Sequence, residues 1–188
     1  MRIIGGKFSG RKILDPLDQN TRPLKDLVRG SIFNILEHSK LQKVILKDSN
    51  VLDLFSGVGS FGIECISRGA LSVNFFENHK NSLNILRKNI ELLNCKKKTK
   101  IFQEDVFKIS MMKNFLKKKF DLIFLDPPFI QENINLLIDD IYKMKILSKR
   151  GIIILHRNKK RSEEYTHNFK ISREENYGLS KIIFGSFN

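Results

Sequence analysis

Short apolar segments alternate with helical segments from Val51 to the end of the chain, and this alternation restricts the possible folds more than any other feature. Strands that alternate with helices are typical of a parallel α/β sheet. The last two strand-like segments have no helix between them, which predicts an antiparallel hairpin at the sheet edge. We therefore predict an α/β fold with a seven-stranded, mostly parallel sheet. Its predicted strands are 51–54, 72–76, 100–103, 120–125, 151–155, 169–172 and 181–184.

The amino-terminal quarter of the chain follows a different pattern. Residues 2–14 have the character of two short strands around a central turn, and several of their side chains are basic. After Pro23, apolar residues recur at a helical spacing. A polar connection over 40–50 then leads into the α/β pattern. We predict an appendage over 1–48, made of a basic hairpin and a helix, and a main domain over 49–188.

The chain carries a large excess of positive charge, with 34 Lys and Arg residues against 20 Asp and Glu residues and a net charge of +14. Such a surface attracts polyanions such as nucleic acids or anionic membranes. Charge alone does not separate a nucleic-acid partner from a general lysine bias in composition. No apolar run approaches the roughly 18 residues that a membrane helix needs, so we expect no membrane partner.

Cysteine and histidine usage bears on the compartment and on metal binding. Cys65 and Cys95 are too few for a disulfide framework, and they have no CxxC spacing. The basic amino terminus leads into no signal-peptide core, so we expect a protein of the reducing cytoplasm. The four histidines have no metal-ligand spacing to Cys, Asp or Glu. We therefore predict no metal site and give each histidine a surface or packing role.

A glycine-rich loop follows the first predicted strand. Gly57, Gly59 and Gly62 have the GxGxxG spacing, in the strand-to-helix context where such loops bind nucleotides. Asp53 precedes the loop, and its negative charge would repel a pyrophosphate. The same charge would attract the ammonium and sulfonium groups of S-adenosylmethionine. The sequence therefore favours S-adenosylmethionine over a dinucleotide as the cofactor.

Two further carboxylates follow neighbouring strands. Glu77 ends the second predicted strand, where it can accept hydrogen bonds from ribose hydroxyls. Asp105 follows the third strand and can accept a hydrogen bond from an adenine amino group, although an Asp after a strand also commonly caps a helix. The predicted cofactor contacts are Asp53, Phe55, Gly57, Gly59, Glu77 and Asp105.

The most informative tetrapeptide is Asp126-Pro127-Pro128-Phe129, which directly follows a buried-type strand. An exocyclic base amine is a poor nucleophile because its lone pair is delocalised into the ring. The Asp126 carboxylate and the Pro127 carbonyl, held rigid by two prolines, can accept the amine hydrogens and direct the lone pair at a sulfonium methyl group. Phe129 offers a flat face on which the base can stack. We predict that these four residues form a catalytic platform.

Further motifs join this tetrapeptide along the chain. They are Arg2-Ile3-Ile4-Gly5-Gly6 with Gly10-Arg11, Thr21-Arg22-Pro23 with Asp26, Phe33-Asn34-Ile35-Leu36, Gly62-Ile63-Glu64 with Ser67-Arg68-Gly69-Ala70, and Tyr177-Gly178. With them, the chain resembles the RsmD-type family of bacterial small-subunit ribosomal RNA guanine-N2 methyltransferases over nearly its full length. The resemblance implies a Rossmann-like class I methyltransferase fold that uses S-adenosylmethionine. It also implies a guanine in 16S ribosomal RNA, or in the assembling small ribosomal subunit, as the substrate.

The resemblance and the basic composition together give the predicted RNA contacts, with Arg22 the best candidate. These contacts are Arg2, Lys7, Arg11, Arg22 and Arg29. The chain departs from the family pattern at Leu24 and Lys25, at Gly30, and at His156, where an acidic residue is common. We expect a monomer.

Three other functions stay open at this point. An Asp-Pro-Pro-aromatic turn also suits a DNA methyltransferase that acts on an adenine or cytosine amine, although no target-recognition domain is evident. The glycine loop alone also suits a nicotinamide-dependent oxidoreductase. A catalytically idle RNA-binding assembly factor is the third alternative.

Overall fold

The computed structural model describes residues 1–16, 24–39, 46–112, 114, 116 and 118–187. These residues form four α-helices and seven strands. In chain order the elements are α1 (Asp26–His38), β1 (Asn50–Leu54), α2 (Ser60–Ser67), β2 (Ser72–Phe76), α3 (Lys80–Leu92), β3 (Thr99–Phe102), β4 (Phe120–Leu125), α4 (Ile134–Met144), β5 (Leu147–Asn158), β6 (Phe169–Tyr177) and β7 (Ser180–Phe187). A 3₁₀ helix, Val106–Met112, lies between β3 and β4.

The seven strands form one sheet in the order β3-β2-β1-β4-β5-β7-β6. The five strands from β3 to β5 run parallel, whereas β7 pairs antiparallel with both β5 and β6. The predicted fold class and the predicted edge hairpin are therefore confirmed. β2 and β4 have the predicted bounds, while β5, β6 and β7 extend further than predicted.

Helical elements cover both faces of this sheet, so the central strands are buried on both sides. In β4, Leu122 and Phe124 join the hydrophobic cluster that includes residues of α1, α2 and α3. Ile123 and Leu125 face the opposite way, into the cluster that includes residues of α4 and the 3₁₀ helix. Successive strand side chains point to opposite faces, so burial on both sides requires the continuous apolar run that the sequence shows.

The predicted amino-terminal hairpin forms only in part. Arg2 and Lys12 make a single antiparallel bridge, flanked by hydrogen bonds from the Ile3 N–H to the Arg11 carbonyl and from the Ile13 N–H to the Met1 carbonyl. A 3₁₀ turn, Gly6–Phe8, occupies the middle of the segment, and the Gly5 N–H donates to the Glu64 carboxylate of α2 instead of to the opposite segment. The ladder therefore ends after one bridge.

Residues before 49 also contribute to the core of the sheet. Ile3, Ile13 and Phe33 are buried in the same hydrophobic cluster as Val51 and Phe124. The Phe61 ring stacks between those of Phe33 and Phe124, with centroid distances of 5.1 and 3.8 Å. The division into an appendage over 1–48 and a main domain stays a prediction, and the two regions share one packed face.

Glu64 holds the amino-terminal segment to α2. Its side chain is fully buried, and its two oxygens accept hydrogen bonds from the N–H groups of Ile4 and Gly5, each at 2.8 Å. The Arg68 Nε also donates to Glu64 Oε1 at 2.8 Å. Removal of the carboxylate would leave the N–H groups of Ile4 and Gly5 without this acceptor in a partly buried setting, which is costly, whereas Arg68 would keep its ion pair with Glu37.

We expect Glu64→Ala to lower the free energy of unfolding by about 2 kcal/mol, because it leaves two partly buried backbone donors without their acceptor. Denaturant unfolding measures this value. The control is Glu91→Ala on the exposed face of α3, which we expect to change the unfolding free energy by less than about 0.5 kcal/mol. Equal stability of the two variants would contradict this role for Glu64.

Candidate active site

The candidate site lies where the loops after β1 and β4 meet. Leu54 and Leu125 are partners in the parallel register of these strands, and the Asp126 N–H donates to the Leu54 carbonyl at 3.3 Å. The chain leaves β1 toward one face of the sheet and leaves β4 toward the other. Ligands of open α/β sheets bind at such a switch point, outside the carboxyl ends of the strands.

A cavity of about 520 Å³ opens at this point. This volume lies in the usual range for small-molecule sites. The described residues that line it include two carboxylates and no Lys or Arg. They are Pro16, Leu24, Phe55, Ser56, Gly57, Val58, Ser60, Glu77, Asn78, His79, Ser82, Asp126, Pro127, Pro128, Phe129, Ile130 and His156.

The glycine loop after β1 is strongly bent. Phe55, Gly57 and Gly59 all have positive φ, at 61°, 55° and 84°. A Cβ on Gly59 would lie 2.4 Å from Leu86 Cδ1, so glycine is required there both by the backbone conformation and by the packing of α3. The result is a loop whose backbone faces the cavity without side-chain obstruction at Gly57.

Glu77 fixes this loop from the end of β2. Its Oε2 accepts a hydrogen bond from the Gly57 N–H at 2.7 Å, and its Oε1 accepts one from the His79 N–H at 2.8 Å. The side chain is 9% exposed and lines the cavity. Phe55, Gly57 and Glu77 are therefore the predicted cofactor residues that the structure brings to the cavity wall.

Asp53 lies behind the loop instead of in the cavity wall. Its Oδ2 accepts a hydrogen bond from the Gly62 N–H at 3.0 Å at the start of α2. Burial raises the pKa of Asp53 well above its usual value, and the nearby carboxylates of Asp126 and Glu77 add to the effect. Asp53 thus supports the turn between β1 and α2. Its side chain does not line the cavity and affects it only by fixing the position of that turn.

Asp105 and Gly59 also lie outside the set of residues that line the cavity. The Asp105 Oδ1 accepts a hydrogen bond from the Phe107 N–H at 3.0 Å, which caps the 3₁₀ helix Val106–Met112. The sequence left two roles open for Asp105, an adenine contact and a helix cap, and the structure shows the helix cap. Gly59 precedes α2 and is its N-cap residue.

All four residues of the predicted catalytic platform line the cavity. The Asp126 side chain is 20% exposed, and its Oδ1 is 2.7 Å from the Nδ1 of His156. The Phe129 ring is half-buried and lies edge-to-face with the His156 ring at a centroid distance of 5.3 Å. A carboxylate and an aromatic face are therefore presented together at one side of the cavity.

Arg157 holds the turn from behind. Its guanidinium is fully buried and donates to the Gln131 carbonyl at 2.6 Å and, more weakly, to the Pro128 carbonyl at 3.4 Å. It also pairs with Glu163. Burial alone would raise the pKa of Glu163, but hydrogen bonds from Arg157 and Tyr165 lower it below the usual value. The ion pair thus fixes the backbone just beyond Phe129.

His156 and Arg157 are the site residues that the sequence did not reveal. The sequence predicts a surface or packing role for His156; the structure buries the imidazole against Phe129 and also places it in direct contact with Asp126, which the sequence did not predict. The strand register could have found it. Leu125 pairs with Leu155 in the parallel β4–β5 ladder, so the next residue on each strand, Asp126 and His156, must be adjacent.

The predicted RNA contacts fall into three groups. Arg2, Lys7 and Arg11 are exposed in the amino-terminal segment, although the Arg11 Nη2 also donates to the Leu92 carbonyl at 2.8 Å. Arg22 lies outside the described residues. Arg29 is fully buried and donates to the Arg2 carbonyl and to Asp26. The prediction that Arg29 contacts RNA is therefore wrong, because a buried guanidinium cannot reach a phosphate. Its charge serves to hold the amino terminus against α1.

None of the described helices combines the length and the apolar content that a bilayer crossing requires. Within the same residues, His, Cys, Asp and Glu side chains form no group of three or more that could hold a metal ion.

The buried Asp53 predicts a specific pH dependence of stability. Above the usual Asp pKa of about 3.9, the unfolded chain releases a proton that the folded protein still holds, so stability falls as the pH rises toward the elevated folded pKa. We expect Asp53→Asn to flatten this decline, because Asn does not titrate. Denaturant unfolding from about pH 4 upward measures it, with Asp140→Asn on α4 as the control. An unchanged slope in Asp53→Asn would contradict the burial of an uncharged carboxyl group.

Comparisons with known proteins identify the family of this chain. A family model described as Conserved hypothetical protein 95 matches residues 1–186. A protein named ribosomal RNA small subunit methyltransferase D from Haemophilus influenzae is 31% identical over 188 residues, covering 95% of this chain and 90% of that protein. The protein of the same name from Buchnera aphidicola subsp. Acyrthosiphon pisum is 32% identical, covering 85% of this chain and 79% of its own length.

Solved structures show the same architecture. The structure of yhhF from Escherichia coli has a TM-score of 0.81 at 24% identity and covers 100% of this chain and 98% of that chain. A conserved hypothetical protein from Streptococcus pyogenes has a TM-score of 0.72 at 27% identity, covering 86% of this chain and 96% of that chain. Since the family model spans nearly all of the sequence, the chain belongs to the Conserved hypothetical protein 95 family, the RsmD-type family that its motifs resemble, and it has the class I S-adenosylmethionine-dependent methyltransferase fold.

Proposed function

We propose that the protein transfers a methyl group from S-adenosylmethionine to the exocyclic N2 amine of a guanine in small-subunit ribosomal RNA. The observation that carries this proposal is the cavity at the β1–β4 switch point, where the Asp126 carboxylate and the Phe129 ring face the glycine loop. The relatives named ribosomal RNA small subunit methyltransferase D support the RNA substrate.

The charge of the cavity supports S-adenosylmethionine over a dinucleotide. The chain as a whole has a net charge of +14, yet the described cavity wall contributes Glu77 and Asp126 and no Lys or Arg. A pyrophosphate would lack a cationic partner there, whereas a ligand with an ammonium and a sulfonium is attracted by the carboxylates. We propose that Phe55, Gly57 and Glu77 contact the cofactor and that Asp53 and Gly59 shape the loop that carries them.

When bound, S-adenosylmethionine supplies an electrophilic methyl group. The chain's own residues then have three tasks. The Asp126 carboxylate and the Pro127 carbonyl accept hydrogen bonds from the base amine, which localises its lone pair and orients it for in-line attack. Phe129 stacks on the base, an interaction typically worth about 1 to 3 kcal/mol. We propose that Asp126 also accepts the proton that the methylated nitrogen releases.

The central experiment is nucleoside mass spectrometry of ribosomal RNA from cells with and without the gene. We expect N2-methylguanosine in the small-subunit RNA to depend on the gene, and purified protein with labelled S-adenosylmethionine to restore it. Methyl transfer to duplex DNA instead of RNA would favour the DNA base-amine methyltransferase. Wild-type levels of modification without the gene would contradict the proposal.

We expect Asp126→Ala to lower kcat by about 100-fold or more while the affinity for S-adenosylmethionine stays within a few-fold, because the variant removes a hydrogen bond to the reacting amine. Single-turnover methyl transfer and cofactor titration separate the two effects. Asp140→Ala on α4 is the matched control. A fall in cofactor affinity that accounts for the whole loss of activity would place Asp126 outside the chemical step.

For the RNA, we propose that the exposed Arg2 and Lys7 contact phosphates. We propose the same role for Arg22, which is not among the described residues. We expect the double variant Arg2→Gln, Lys7→Gln to weaken RNA binding and to lower the slope of log K against log salt concentration by about one for each phosphate that is no longer neutralised. Lys143→Gln with Lys145→Gln is a control of equal charge change at the exposed end of α4, on the opposite face of the sheet. Equal salt slopes for the two double variants would indicate that Arg2 and Lys7 contribute only general charge attraction and make no specific phosphate contacts.

A further inference from the structure

His156 links the catalytic turn to the antiparallel edge of the sheet. Its Nδ1 is 2.7 Å from Asp126 Oδ1, and its Nε2 is 2.8 Å from the Ser180 hydroxyl at the start of β7. His156 and Ser180 are 4% and 2% exposed, so the contact between them is buried, whereas the contact with Asp126 lies at the cavity wall and is partly buried. The imidazole is therefore bonded at both nitrogens while the edge of its ring also meets Phe129.

These contacts select one tautomer of the neutral ring. An ionised carboxylate can only accept a hydrogen bond, so the nitrogen that faces Asp126 must carry the hydrogen. The Nε2 then offers a lone pair, which the Ser180 hydroxyl can satisfy as a donor. The hydrogen bond from Nδ1 to Asp126 thus leaves Nε2 of the neutral ring without a hydrogen.

Asp126 needs such a donor because its surroundings are acidic. The carboxylates of Asp126 and Glu77 both act on the buried Asp53, so three carboxyl groups lie close together at the carboxyl ends of β1, β2 and β4. Because burial raises the pKa of Asp53, the like charges that repel each other are mainly those of Asp126 and Glu77, which line the same cavity. A donor on the β5 side of Asp126 offsets this repulsion and holds the side chain toward β5.

We infer that His156 is a positioning residue for the proposed methyl transfer: its Nδ1–H, kept on that nitrogen by Ser180, holds Asp126 Oδ1 so that Oδ2 is left for the base amine. The inference rests on the proposed function, since it assigns the second carboxylate oxygen to the substrate. The same imidazole sets the half-buried Phe129 ring through the edge-to-face contact at 5.3 Å. One side chain thereby orients both the acceptor and the stacking face.

Two amide substitutions test the donor separately from the fold. In His156→Asn, the side-chain nitrogen occupies the place of Nδ1 and keeps a donor to Asp126. In His156→Gln, the nitrogen reaches the place of Nε2 and can donate to the Ser180 hydroxyl oxygen, so a contact with Ser180 is kept in the reverse direction while the donor to Asp126 is removed. We expect kcat for RNA methylation to be at least about tenfold lower in His156→Gln than in His156→Asn, with cofactor affinity in both within about threefold of the wild type.

The unfolding midpoint of each variant controls for damage to the fold. A greater loss of kcat in the Gln variant at comparable stability supports the positioning role. Equal kcat values in the two variants, or losses that follow the unfolding midpoints, would overturn it.

A second readout does not depend on activity. Long-range ¹H–¹⁵N NMR spectra of the protein without ligands, recorded where the His156 ring is neutral, are expected to show the hydrogen on Nδ1 and the lone pair on Nε2. Asp126→Ala and Ser180→Ala are each expected to weaken this preference. A wild-type imidazole protonated only at Nε2 would overturn the inference while leaving the proposed function intact. Wild-type protein that fails to methylate ribosomal RNA would overturn the proposed function, and with it the role of His156 in that reaction.

Discussion

The parallel pairing of β1 with β4 determines where the functional side chains lie. Because Leu54 and Leu125 are register partners, the glycine loop and the Asp-Pro-Pro-Phe turn begin side by side at the same edge of the sheet. The helices that follow these loops pack on opposite faces, which leaves a crevice between them. Two apolar strands thus bring together a loop and a turn that are about 70 residues apart in the sequence.

Charge is distributed unevenly between the cavity and the rest of the chain. The net charge of +14 favours a polyanion at the surface, whereas Glu77 and Asp126 make the described cavity wall acidic. A nucleic acid and a cationic cofactor need opposite electrostatic environments, and the fold separates them. Burial of Asp53 behind the loop keeps a third carboxyl group near the site while its elevated pKa limits the repulsion.

Much of the fold could be predicted from the sequence, because strands buried on both faces produce apolar runs such as 122–125 and 152–155. The edge strands were harder to delimit, since β6 has exposed polar residues along much of its length. Arg29 could not be separated from the exposed arginines, because its burial depends on a distant acceptor, the Arg2 carbonyl. His156 required the β4–β5 register, which no local pattern contains. Non-local pairing therefore explains what the sequence did not reveal.

A crystal structure with S-adenosylmethionine bound would show directly whether the cavity at the β1–β4 switch point is the site of methyl transfer. We predict that the cofactor lies between Phe55–Gly57 and the Asp126–Phe129 turn, with Glu77 within hydrogen-bonding distance of the ribose and the methyl group directed toward Asp126 and Phe129. A cofactor bound elsewhere on the sheet, or a methyl group that points away from this turn, would contradict the proposed site.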